Sequence, residues 1–207
     1  MNMIKKNSIL IGIIIGAVFL IIATFYYPGG NVNNEFSKGY DWMHNYISNL
    51  LRPLAVNGMD NPARPWAVVG IFFLTASFGI FFVKFSARIR IKNVSFVIKY
   101  FGILATILGF LAVSPSLHDI MVTLSSSLTL LIFFYITVMI IKSKLLILKI
   151  VSILFLLIFY FGAYMYFTRS YLEFMPLMQK IIFLIKIVWI LSLEYFTQKE
   201  DFQHITK

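Results

Sequence analysis

Six apolar runs constrain this chain more than any other feature of its sequence. A helix of about 20 residues crosses the roughly 30 Å hydrocarbon core of a bilayer, and the chain contains six runs of about that length. They lie near residues 8–26, 65–85, 95–113, 117–141, 145–167 and 176–196. The composition is 60% hydrophobic and 13% charged, whereas a soluble domain is about half apolar and a quarter charged. We predict an all-α polytopic membrane helix bundle that forms one domain over residues 1–207.

The distribution of basic residues indicates topology rather than binding to nucleic acid. The net charge is +10, and twelve of the 18 Lys and Arg residues fall in segments on the same side as both termini. Basic residues accumulate on the cytoplasmic side of membrane proteins. We therefore expect a multi-pass protein of the plasma (inner) membrane, with both termini cytoplasmic, no nucleic-acid partner, and a long outer loop over residues 27–64.

The outer loop contains a segment with helical periodicity at 41–52, where His44 and Asn49 lie on the polar side and Pro53 ends the pattern. The apolar side chains recur at helical spacing: Trp42, Tyr46, Ile47, Leu50 and Leu54. We predict an extracytoplasmic amphipathic helix that lies along the membrane surface or caps the bundle. Its polar side either faces water or covers a site below.

The sequence "NPARP" at 61–65 precedes the second span. We expect Asn61 to cap the helix, with Pro62 in the first turn, where a missing N–H is tolerated. The alternative is that Pro65 marks the start of the helix. In the first span, Gly12 and Gly16 form a GxxxG pattern, which predicts close helix packing.

Lys186 is the most unusual single residue, because it lies about ten residues into the last apolar run. A charge at that depth costs at least ~2.5 kcal/mol, so we expect it to face the bundle interior with a partner. Polar residues at similar depth predict a surrounding layer: Thr75, Ser77, Thr106, Ser126, Ser127 and Tyr160. Lys186 is then either a hydrogen-bonded structural residue or a contact for a substrate or ion.

A polar stripe is predicted in the fourth span, where polar residues recur at i, i+4, i+7 and i+8. Its members are Asp119, Thr123, Ser126 and Ser127. The stripe would run from the outer surface toward the depth of Lys186. Asp119 has a structural alternative, because Ser116-x-x-Asp119 matches a capping box and an acid suits the first turn of a helix.

His44, His118 and Asp119 are weak candidates for a metal site, since all three are expected at the outer face. Their spacing contains no ligand pattern such as H-E-x-x-H. The chain has no cysteine, no phosphate-binding glycine loop and no serine nucleophile elbow. We therefore predict no metal, no cofactor and no catalytic residue.

The segments "YISNL" (Tyr46–Leu50) and "NPARP" (Asn61–Pro65) lie in the outer segment between the first and second spans. In this layout the chain resembles a bacterial and archaeal family of six-span membrane proteins of unknown function. It is similar, more loosely, to the DRAM-like membrane proteins, which have an Ile-Ser-Asp-type motif there. Asn49 stands where that aspartate is usual. The resemblance implies six spans and no established activity.

We expect a non-enzymatic integral membrane protein that interacts, through its outer face, with membrane lipids, another membrane protein or a second copy of itself. The first alternative is a small-solute or ion-coupled transporter that uses Lys186 and the Asp119–Ser127 stripe. The second is a metal-dependent lipid hydrolase at the outer face.

Overall fold

Six long helices make up most of the computed structural model, which describes residues 7–205. They are α1 Ser8–Tyr26, α2 Arg64–Ser86, α3 Lys92–Leu111, α4 His118–Lys142, α5 Leu146–Thr168 and α6 Met175–Phe196. Each is long and apolar enough to cross a membrane, and the described part of the chain contains no β-strand. The predicted fold class is confirmed, and the predicted spans match these helices to within three residues.

The helices form a closed bundle in chain order. Each packs against the next, and α6 returns to contact α1 and α2. The end that carries residues 27–63 is called the loop end below, and the other, where α1 begins and α6 ends, is called the terminal end. Large apolar side chains remain exposed along the helices, among them Leu157 and Leu184, as expected for surfaces that face lipid rather than water.

The closest helix packing joins α1 to α2 through glycines. A Cβ atom at Gly16 would lie 2.8 Å from the carbonyl oxygen of Gly70 and 2.5 Å from Leu74 Cγ, and one at Gly12 would overlap the Ser77 hydroxyl. These positions therefore accept only glycine at this helix separation. The structure therefore confirms the close helix packing that the GxxxG spacing predicts.

An aromatic cluster fills the centre of the bundle on the terminal side of Lys186. The side chains of Phe133, Phe155 and Trp189 are fully buried. Trp189 stacks on Phe155 with ring centroids 4.4 Å apart, and its indole N–H donates to the Ser152 hydroxyl at 2.8 Å. The only polar atom of the indole therefore has a partner, and the rings form a buried core.

The terminal end of the bundle is held by a buried carboxylate. Glu194 in α6, whose side chain is 8% exposed, pairs with Arg88 at 2.5 Å and with Lys84 at 3.3 Å. Arg88 also donates to the carbonyl oxygen of Leu193 at 2.9 Å and to the Thr197 hydroxyl at 2.8 Å. The guanidinium therefore caps the last turn of α6 and fixes it to the end of α2.

The predicted amphipathic helix over 41–52 is wrong. The structure has turns near 42–44 and a short 3-10 helix at Ile47–Leu51. Asn49, predicted on the polar side, is buried, as is Asn45, while Trp42, predicted on the apolar side, is 54% exposed. The cause is local hydrogen bonding: the Asn45 side chain accepts from the Asp41 N–H at 2.8 Å, and that of Asn49 accepts from the Tyr46 N–H at 2.6 Å. In a continuous helix the Tyr46 N–H would donate to a carbonyl oxygen one turn earlier, so the Asn49 side chain competes with that helix for a backbone donor.

Asn61 connects this loop to the start of α2. Its side-chain amide donates to the carbonyl oxygens of Asn49 at 3.1 Å and Arg52 at 2.9 Å, and its Oδ1 accepts from the Ala63 N–H at 3.2 Å. Helix α2 begins at Arg64 with a proline, Pro65, in its first turn. The helix therefore starts one residue before Pro65, and its N-cap is Ala63. The expectations that Asn61 is the N-cap and that Pro62 lies in the first turn are wrong.

Candidate functional site

Two joined cavities occupy the loop half of the bundle. The larger, about 620 Å³, lies between α4, α5, α6 and the segment 46–56. The smaller, about 250 Å³, lies between α2, α3, α4 and α6. His118, Val122, Gln179, Phe183 and Lys186 line both of them. The larger cavity falls within the size range of small-molecule sites, so we treat the pair as the candidate site.

Lys186 lies where the two cavities meet. It is near the middle of α6, and its ammonium nitrogen is 4.5 Å from the centre of the Phe78 ring and 5.5 Å from that of Phe183. Within residues 7–205 it forms no ion pair and no hydrogen bond, since the buried Glu194 pairs with Arg88 and Lys84 instead. The aromatic faces stabilise a cation only partly, so this ammonium is available to an anionic ligand.

The predicted polar layer around Lys186 forms only in part, since Thr75, Thr106 and Ser126 line the cavities with Lys186 and the other three predicted residues do not. Thr75 and Thr106 line the smaller cavity, but their hydroxyls donate to carbonyl oxygens of their own helices, each at 2.8 Å. Ser77 is buried against α1 rather than beside Lys186. Ser127 and Tyr160 are exposed outside the cavities. Similar depth in a membrane therefore did not imply the same face of the bundle.

The predicted stripe on α4 divides between two directions. Asp119 and Ser126 line the larger cavity. Thr123 is directed toward α5, where its hydroxyl lies 3.2 Å from that of Tyr166. The Ser127 hydroxyl donates to the Thr123 carbonyl at 2.8 Å and is exposed. A continuous polar path along these four residues is therefore absent.

The face of α4 that does line the smaller cavity carries His118, Val122, Ser125 and Thr129. Ser125 was not among the predicted site residues, and its hydroxyl donates across the helix interface to the Ala105 carbonyl at 2.8 Å. These four residues recur at i, i+4, i+7 and i+11, and this helical spacing could have identified Ser125 from the sequence.

Asp119 does not cap α4. The helix begins at His118, and Leu117 at its N-cap makes no side-chain capping bond. The Ser116 hydroxyl lies 3.2 Å from that of Ser114 instead, and Asp119 is exposed at the cavity rim. The predicted capping box is therefore wrong, but Asp119 does lie in the first turn of α4, where an acid was expected.

The three weak metal candidates do not share a site. His44 lies 2.7 Å from the Asp41 carboxylate and lines neither cavity. His118 lies beside the cavities, with Nδ1 2.6 Å from the Ala112 carbonyl oxygen. Residues 7–205 contain no group of three or more His, Cys, Asp or Glu side chains that could hold a metal ion.

The charge that lines the larger cavity is mostly positive. Arg52 and Arg169 lie at its exposed mouth and Lys186 at its inner end, while Asp119 is the one acidic residue in the described lining. Arg169 has a left-handed backbone, with φ of 59°, and its guanidinium lies 5.6 Å from the Tyr166 ring centre. Such an arrangement attracts anions toward the cavity.

The loop covers the cavities and is anchored to α6. The Gln179 side chain accepts from the Ile47 N–H at 2.7 Å, and the Lys180 ammonium donates to the carbonyl oxygens of Asn45 and Pro176. Burial raises the pKa of the Tyr40 hydroxyl, whose ring lies beside that ammonium. The roof of the site is thus attached to the same helix as Lys186, about two turns away, and Lys180 was missed because it resembles an ordinary interfacial lysine.

Comparisons with protein-family models, with curated proteins and with solved structures find no match to this chain. The resemblance to six-span proteins of unknown function therefore stays a prediction, and the site is interpreted from its own chemistry.

Proposed function

We propose that this protein is a non-enzymatic membrane protein that binds a membrane lipid in the cavities at its loop end. The observation that carries the proposal is the lining of the larger cavity. Apolar side chains such as Val122, Phe159, Ile182 and Phe183 make up about half of it, and polar or charged side chains make up the other half. Sites for amphiphilic ligands have this composition.

The proposal includes an orientation. The basic residues concentrate in the segments at the terminal end, which favours a cytoplasmic position for both termini in a plasma membrane. The loop end is then extracytoplasmic, and the cavities receive lipid from the outer leaflet. Because the chain contains no cysteine, single cysteines at Asn33 and Lys144 test this orientation by labelling of intact cells with an impermeant maleimide. Labelling at position 144 but not at 33 would reverse it.

The lipid proposal is tested by filling the cavity. Ser126 lines the larger cavity, whereas its neighbour Ser127 is exposed outside it. Ser126→Trp should reduce the lipid that co-purifies with the protein in a neutral detergent, as measured by mass spectrometry of the extract. Ser127→Trp is the matched control and should retain the wild-type amount. Equal lipid in both variants would overturn the proposal.

A carrier is the second candidate, favoured by the closure of the cavities on one side. The aromatic cluster around Trp189 and the ion pairs of Glu194 lie beyond Lys186 toward the terminal end. A carrier must open this side during its cycle. A cysteine replacing the buried Thr137, in the terminal half of α4, should then react with a maleimide supplied from the terminal side. The lipid-binding proposal expects no reaction there.

A further inference from the structure

We propose that the occupant of the cavities is a singly charged, single-chain amphiphile whose acidic group pairs with Lys186. The class of ligand is a long-chain carboxylate. This inference deepens the proposed lipid-binding function and rests on it, because it assigns the chemical group that the site selects.

The first argument is the unbalanced charge of Lys186. Its ammonium faces the junction of the two cavities, with ring faces rather than a carboxylate as neighbours. Removing an ammonium from water without an anionic partner is unfavourable. A bound acid supplies the partner that the described residues do not.

The second argument concerns the number of charges. Lys186 is the one cation among the lining residues at that depth, since Arg52 and Arg169 lie at the mouth. One ammonium balances one carboxylate, whereas a doubly charged phosphate would leave a buried charge uncompensated. The two arginines at the mouth attract the acid before it enters.

The third argument concerns the rest of the ligand. Three of the hydroxyls that line the smaller cavity, those of Thr75, Thr106 and Ser125, already donate to carbonyl oxygens. Beyond Lys186, the smaller cavity is lined mainly by apolar side chains, including Leu74, Phe82 and Ile190. Such a surface matches a hydrocarbon chain and offers little to the remaining polar groups of a sugar or an amino acid.

The experiment compares ligands that differ in one part. The full-length protein in a neutral detergent is titrated with decanoate, decanol and acetate, and the midpoint of thermal unfolding gives the affinity. The variants are Lys186→Met, Lys186→Arg, and Lys144→Met as a control for loss of an exposed lysine in the α4–α5 connection. Ser126→Trp and Ser127→Trp are measured alongside.

We expect decanoate to stabilise the wild type and Lys144→Met equally, and to bind about tenfold more weakly to Lys186→Met. Lys186→Arg should recover part of the affinity, and decanol binding should not depend on residue 186. If Lys186→Met binds decanoate as tightly as the wild type while Ser126→Trp does not, the acid assignment fails and the lipid site stands. If Ser126→Trp also binds normally, the proposed function fails as well. Equal stabilisation by acetate and decanoate would replace the amphiphile with a small anion and overturn the proposal.

Discussion

The Arg88 guanidinium lies 2.5 Å from the Glu194 carboxylate and joins the end of α2 to the end of α6. Both side chains are largely buried, at 17% and 8% exposed. Sequence spacing along α6 shows that Glu194 is too far from Lys186 to pair with it. Glu194 pairs instead with Arg88 at the end of α2, which is distant in sequence. This pairing depends on how the bundle closes and could not be predicted from spacing along one helix.

Replacing Arg88 should therefore destabilise the protein strongly. Arg88→Met leaves the Glu194 carboxylate with Lys84 alone and removes three further hydrogen bonds to the end of α6, so we expect a loss of about 3–5 kcal/mol. The measurement is unfolding in a mild detergent. Arg90→Met is the control, because Arg90 is exposed and makes one bond of 3.4 Å to the Gln203 carbonyl oxygen. Equal stability of the two variants would show that the ion pair does not hold this end.

Asn61→Ala should loosen the roof of the cavities. The substitution removes the amide donor from the carbonyl oxygens of Leu50 and Arg52 and leaves that of Asn49 with the Arg52 N–H alone, at 3.4 Å. A buried group that is left unsatisfied costs about 1–3 kcal/mol. Hydrogen exchange should rise in the 3-10 helix Ile47–Leu51 more than in α2. Asn33→Ala, at an exposed position of the same loop, should change neither. Unaltered exchange in Asn61→Ala would mean that other contacts hold the loop.

Acid should weaken the turn that contains Asp41. The hydrogen bond from His44 is the main reason that the pKa of Asp41 lies below its usual value, and the backbone N–H groups of Met43 and His44 contribute to the shift. A carboxylate with a lowered pKa stabilises the folded state above the pKa of the unfolded chain, about 3.9. That stability is lost as the pH falls through the lower folded value.

We therefore expect the thermal midpoint to fall below about pH 4 in the wild type and to fall less in Asp41→Asn. Glu35→Gln, at an exposed position of the same loop, serves as the control and should retain the wild-type dependence. If the thermal midpoint of Asp41→Asn falls at acid pH as much as that of the wild type, other groups cause the fall.

The helices could be predicted from the sequence because their determinants are local. Uninterrupted apolar runs identify six spans, and Gly12 and Gly16 identify one helix contact without knowledge of the partner. The loop could not be predicted in this way. Its apolar periodicity is real, but the Asn49 side chain binds the Tyr46 N–H, a backbone donor that a helix would have used. A helical-wheel argument does not include that competition.

The site could be predicted only in part, because the sequence indicates the depth of a residue in the membrane better than the rotation of its helix. Lys186 could be identified from its depth alone, because a charge in an apolar run is informative at any rotation of the helix. Which residues of α4 accompany it depends on the rotation of that helix, and a small difference separates Ser126 in the cavity from Ser127 outside it. Apolar helices give a weak signal of rotation, since both their lipid face and their packed face are apolar.

The connection between α5 and α6 contains a backbone strain that substitution can relieve. Tyr171 has a left-handed conformation with φ of 56°, and its side chain is 61% exposed. A residue with a Cβ atom in that conformation costs roughly 1–2 kcal/mol, which glycine avoids. Tyr171→Gly should therefore raise the free energy of unfolding by about 1 kcal/mol, measured in detergent against Leu172→Gly. Leu172 lies in the adjacent 3-10 helix without positive φ, so its replacement should destabilise. A loss of stability in Tyr171→Gly would mean that the exposed ring contributes more, as an anchor at the membrane interface, than its backbone strain takes away.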